Sequence, residues 1–142
     1  MPDSDKIAQL RGIPMFAALP DDALERLAGT ASDFDATAGH VLIQPDQPGS
    51  GLLILTAGQA TVELGSQTFD CGPGECIGEL SLLLDDVVHT ARVRAATAVQ
   101  GFAISRHDFE TLVAADPRIA VGLLRVLARR LVETDRMLAG DR

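Results

Sequence analysis

Tryptophan and tyrosine are missing from this 142-residue chain, and aromatic residues make up only 4% of it. A core without large rings must be packed from Leu, Val, Ile and Ala, which the 46% apolar content supplies. Cysteine is equally scarce, with only Cys71 and Cys76. Two thiols cannot complete a four-ligand structural zinc site, and their spacing fits no iron–sulfur run. They are expected to be reduced thiols. No apolar run approaches a membrane span and no signal-peptide pattern opens the chain, so a soluble cytoplasmic protein is expected. Positive charge is in short supply too: 12 Lys and Arg stand against 20 Asp and Glu, a formal net charge of −8. Such a chain lacks the basic stripe that duplex DNA requires and repels polyphosphate as a whole, which argues against direct DNA binding. His40, His89 and His107 are scattered rather than clustered as metal ligands. No G-x-S-x-G elbow or Walker loop occurs either, so no catalytic residue, metal or resident cofactor is expected.

What is present falls into three parts of one expected domain spanning residues 1–142. Residues 1–31 read as a helical lead-in. Asp21 and Asp22 suit a first helical turn, and Leu24, Leu27 and Ala28 form one apolar face. Residues 32–104 change to short β-prone runs (Val41-Leu42-Ile43, Leu52 to Leu55, Thr61 to Leu64, Val99 to Ile104) separated by glycine- and proline-rich breakers. Gly65-Ser66 has the two-residue form of a tight hairpin. This pattern predicts a mainly β fold, an antiparallel β-roll or jelly roll flanked by helices. In residues 105–139, Ser105 and Asp108 suggest a capping box, and Asp116-Pro117 opens a long helix. Along it Ala120, Leu124, Leu127, Leu131, Thr134 and Leu138 alternate at spacings of four and three. That is a coiled-coil seam, pointing to a homodimer through the C-terminal helix, although a stripe packed on the same chain would use the same spacing.

The chemistry concentrates in residues 72–95. Gly72-Pro73-Gly74 forces a turn, Gly78 to Leu84 reads as a short apolar helix stopped by Asp85-Asp86, and an extended Arg92-Val93-Arg94-Ala95 follows. A glycine opening a short helix offers backbone N–H groups to an anion. The adjacent Glu79 suits a sugar hydroxyl, because a carboxylate accepts from O–H. Phosphate beside ribose is the ligand these residues suggest.

Gly78-Glu79-Leu80-Ser81-Leu82, followed after a gap by His89-Thr90-Ala91-Arg92-Val93-Arg94-Ala95, resembles the phosphate-binding cassette of the cyclic nucleotide-binding domain. That domain is the sensor of the catabolite activator and Fnr group of regulators, and the likeness extends from about Ile13 to Asp135. It implies a regulatory ligand, cAMP or cGMP with cAMP favoured, held by Gly78, Glu79, Leu80, Ser81, His89, Thr90 and Ala91. The segment Ala128 to Asp135 is similar to the long helix of the catabolite activator protein, which implies that Thr134 and Asp135 reach the base. One departure stands out: His89 occupies the place of the arginine that pairs with the cyclic phosphate. An imidazole is shorter and mostly neutral near pH 7, and losing a charge-assisted bond worth about 1.5–3 kcal/mol weakens binding by roughly one to two decades. Strand alternation puts Ala91, Val93 and Ala95 on one face and Arg92 on the other, so Arg92 is expected to point outward and not to compensate. The chain stops at Arg142, where the family's DNA-reading helix-turn-helix would begin. It is therefore read as a sensor without that part, standing alone or cut from something longer. The alternative is a degenerate sensor kept as a dimerisation module or retuned to another small anion.

Overall fold

The computed structural model describes residues 2–44, 51–78 and 91–139. The described residues form α1 (Pro2–Arg11), α2 (Asp21–Thr30), β1 (Ser32–Ala36), β2 (Val41–Ile43), β3 (Gly51–Ala57), β4 (Ala60–Leu64), β5 (Gln67–Cys71), β6 (Cys76–Ile77), β7 (Arg92–Ala95), β8 (Val99–Ser105), α3 (Arg106–Ala115) and α4 (Arg118–Leu138). They divide into two compact units, Gly29–Thr111 and the combined ends Met1–Ala28 with Leu112–Arg142.

The first unit is the expected antiparallel β-roll. One sheet has the order β1-β8-β3-β6 and the other β2-β7-β4-β5. Leu55, Ala60, Cys71, Val93, Ala95 and Val99 form a buried cluster between them, with Phe34, Ala36, Leu42, Ile43, Val62 and Ile77 packed against it. Small and branched side chains thus do the work that rings do elsewhere. Cys71 and Cys76 are not joined in a disulfide, the first is a core residue, and the register sets Cys71 opposite Ala60 and Cys76 opposite Ile54. The β4–β5 hairpin closes through Gly65-Ser66, with Leu64 opposite Gln67. Ser105 caps α3 as its Oγ accepts from the Asp108 backbone N–H at 3.1 Å.

β1 is a strand that sequence patterning misses. Ser32-Asp33-Phe34-Asp35-Ala36 carries two aspartates and little β propensity, and it is extended because all five residues pair with β8, Ser32 opposite Ala103 through Ala36 opposite Val99. β6 is similarly short and is defined by pairing with β3. Residues 45–50, and all but Gly78 of the short helix expected at Gly78 to Leu84, lie outside the described residues.

In the second unit, α2 buries Ala23, Leu24, Leu27 and Ala28, and Asp21 in its first turn pairs with Arg11 of α1. α4 buries Ile119 and Leu123 near its start. Gly122 lies against the main-chain carbonyl of Met15, so close that a Cβ there would collide with backbone. The start of α4 is set by Asp116, which is 4% exposed. Its carboxylate accepts from the Arg118 backbone N–H at 3.2 Å, from Nε at 2.7 Å and from Nη2 at 2.6 Å. The Arg118 hydrogen bond, opposed by burial and helped by the charges of Arg118 and Arg26, holds the Asp116 carboxyl below the usual range. Farther along, every described residue from Ala128 to Ala139 is exposed. Of the expected seam, Leu124, Leu131, Thr134 and Leu138 are exposed, whereas Ala120 and Leu127 are half-buried, and Val121 and Val132 join the exposed set. No helix among the described residues is long and apolar enough to cross a membrane.

Candidate functional site

Both ends of the segment that sequence analysis singles out are fixed by the roll. On the entry side, the turn at Gly72 to Glu75 is closed by Glu75 N–H donating to Gly72 O at 3.1 Å and by Gly72 N–H donating to Glu75 Oε1 at 2.9 Å. β3 clamps that turn twice: Leu55 N–H donates to Glu75 O at 3.0 Å, and Gly74 N–H donates to Leu55 O at 2.8 Å. Ile77 then pairs with Leu53. Gly78 follows with φ +91°, a conformation L side chains rarely adopt, so glycine is required where the chain leaves β6. The sequence signal for Gly78 was its motif; the structural reason is this backbone angle.

On the exit side, Ala91 is half-buried and leads into β7, which lies between β2 and β4. Register places Val93 opposite Val62 and Ala95 opposite Ala60, and all four belong to the inner cluster or pack on it. Ala91 has the same strand parity as Val93 and Ala95. Arg92 stands opposite Glu63 and Arg94 opposite Thr61, on the other face of the sheet. Arg94 donates to Gly39 O at 3.2 Å and lies 3.9 Å from Glu63. The outward orientation expected of Arg92 is thus observed. Glu79, Leu80, Ser81, His89 and Thr90 lie outside the described residues.

Two features were not read from the sequence. Glu75, whose side chain and backbone both tie the turn, is one of them; its only sequence signal was its place beside glycine. The other is an apolar strip on the inner face of the β4–β5 hairpin. Val62 and Phe69 are directly paired, and Val62 packs on the core, yet Phe69 is 50% exposed and Leu64 is also exposed. The alternation of the hairpin strands could have revealed this wall.

Thr134 and Asp135 belong to the other compact unit, on the exposed part of α4. Thr134 Oγ1 donates to Arg130 O at 2.9 Å, which commits its proton and leaves its lone pairs as acceptors. Asp135 likewise presents acceptors. Among the described residues no group of three or more His, Cys, Asp or Glu could hold a metal ion.

Comparison with known proteins agrees with this geometry. The family model of the cyclic nucleotide-binding domain matches residues 35–116. A CRP-like cAMP-activated global transcriptional regulator of Mycobacterium tuberculosis is 31% identical over 143 residues, covering 95% of this chain and 62% of the relative. The N-terminal domain of a transcriptional regulator from Streptomyces coelicolor A3(2) superposes with a TM-score of 0.75 at 34% identity, covering 89% of this chain and 94% of that one. The catabolite activator protein of Thermus thermophilus gives a TM-score of 0.80 at 28% identity, over 89% of this chain and 62% of that one. This chain therefore spans about three fifths of the M. tuberculosis regulator it matches.

Proposed function

The chain belongs to the cyclic nucleotide-binding domain family, and from that premise we propose that it senses a cyclic nucleotide, cAMP in preference to cGMP, and reports binding through α4. The observation that carries this reading is that β6, which ends just before Gly78, and β7, which begins just after Ala91, belong to the two different sheets of the roll. Both flanks of the cassette are thus anchored in paired strands, the kind of scaffold a site for a small anion requires. In the proposed complex the cassette amides and Thr90 hold the cyclic phosphate, Glu79 accepts from the ribose hydroxyl, and Val62, Leu64 and Phe69 offer apolar surface to the sugar and base. The preference for adenine follows from acceptor chemistry: Thr134 and Asp135 suit its exocyclic amine, whereas guanine presents a carbonyl at that position. The sequence likeness to a cAMP-activated regulator supports the same choice.

Output runs through self-association. Leu124, Leu131 and Leu138 are 60%, 62% and 81% exposed along α4, and pairing two copies would cover them. No catalytic step is assigned to the chain.

A second reading has one specific observation in its favour. With His89 at the position of the family arginine and Arg92 and Arg94 on the face of the sheet away from the inner cluster, β7 offers no guanidinium to that inner face, as expected of a degenerate sensor retained for dimerisation. Thermal unfolding distinguishes the two. At a hundred times the dissociation constant, a ligand adds about 2.7 kcal/mol, so cAMP should raise the melting temperature of the unaltered chain. A response only in His89→Arg would favour the degenerate reading, and no response in either protein would overturn the cassette assignment.

A further inference from the structure

From Arg125 to Arg136, α4 carries a second exposed surface, distinct from its leucine stripe. Arg125, Ala128, Arg129, Val132, Glu133 and Arg136 line a shallow depression of about 360 Å³. These residues recur at helical spacing, and Arg125 and Arg136 stand eleven positions apart, about 16 Å at the α-helical rise. All six are exposed. The depression carries two net positive charges in a chain whose overall charge is −8. Five of the eleven arginines of the chain fall in α4 (Arg118, Arg125, Arg129, Arg130 and Arg136), against two acids, Glu133 and Asp135.

Arg125 and Arg129 are like charges one turn apart, an arrangement that costs an isolated helix a few tenths of a kcal/mol. A carboxylate-bearing partner reverses that sign. Guanidinium also favours this use over ammonium, since its planar fork grips a carboxylate through two hydrogen bonds and is only weakly hydrated. Val132 and Ala128 add an apolar floor between the charged groups, the mixed surface that interface cores employ.

We propose that the Arg125–Arg129–Arg136 face of α4 docks an acidic segment of a partner protein, a short helix in which Asp or Glu residues flank an apolar one. The reach of electrostatics favours this occupant over a polyanion. At physiological salt a charge is felt over about 8 Å. A segment about as long as the patch meets a surface on which three arginines outweigh one glutamate, whereas a nucleic acid or an anionic membrane also meets the repulsion of a chain whose net charge is −8. The proposal does not depend on nucleotide binding.

Fluorescence anisotropy with a labelled peptide of repeating Glu-Glu-Leu-Ala units, long enough to span about 16 Å as a helix, tests it. The full chain should bind this probe with an affinity that falls as salt rises, and Arg129→Glu with Arg136→Glu should weaken binding at least about tenfold. Both positions are exposed, and an unchanged helical circular dichroism spectrum verifies that the variant folds. Arg129→Lys with Arg136→Lys should retain part of the binding. Equal binding by the charge-reversed variant, no binding by the unaltered chain, or tighter binding to duplex DNA or to phosphatidylserine vesicles than to the peptide would each overturn the proposal.

Discussion

Replacing Leu131 with alanine should leave the isolated chain folded while weakening its self-association. Leu131 is 62% exposed, so within one copy the substitution removes little buried area and should change stability by less than about 0.5 kcal/mol. In a pair of helices the same side chain becomes covered. Full burial of a leucine is worth about 2 kcal/mol, and recovering some three fifths of it gives roughly 1.2 kcal/mol per copy. Two copies contribute, and alanine retains part of the area, so the variant should lose about 2 kcal/mol of association, near thirtyfold in the dissociation constant. Leu123→Ala supplies the contrast. Leu123 is buried at the start of α4, and its truncation should cost about 2–5 kcal/mol of stability at any protein concentration. Sedimentation equilibrium measures association, and thermal unfolding at several concentrations separates the two effects. If Leu131→Ala destabilised the dilute protein as strongly as Leu123→Ala, or left a dimer unchanged, the assignment of the exposed stripe as a pairing surface would be refuted.

Other outcomes follow from single contacts. His89→Arg should tighten cyclic nucleotide binding by roughly one to two decades, read by competition with a fluorescent analogue, because it restores a bidentate charged partner for phosphate. Arg92→Ala should leave that affinity unchanged, since Arg92 shares a face with Arg94 and faces away from the inner cluster. The depressed Asp116 carboxyl contributes stability that is present above the ordinary carboxylate range and lost as pH falls through its lower folded value. Asp116→Asn should therefore be less stable than the parent near pH 7 and lose less on acidification, as melting curves from pH 7 downward will show. Gly122→Val should lower the melting temperature markedly, as its side chain would strike the Met15 backbone.

Much of the roll was legible because its strands are short apolar runs between glycine breakers. The runs at Val41, Leu52, Thr61 and Val99 all became strands. So did Arg92 to Ala95, whose alternation also gave the correct facing of Arg92. β1 was not legible, since Ser32 to Ala36 is extended only through its partner β8, a tertiary effect no local pattern carries. The helical spacing of Leu124, Leu131 and Leu138 was visible, but the half-burial of Ala120 and Leu127 is a tertiary outcome that helical spacing does not carry. At the site, glycine and the flanking motif identified Gly78. The β3 clamp on Gly72 to Glu75, and the open inner wall at Phe69, required the register of strands distant in sequence.

The central claim, that the cassette between β6 and β7 accepts a cyclic phosphate, is tested most directly by calorimetric titration of the chain with cAMP. The account predicts saturable heat with one nucleotide per chain, weaker for cGMP and stronger in His89→Arg. No heat from either nucleotide, in both the parent and that variant, would contradict it.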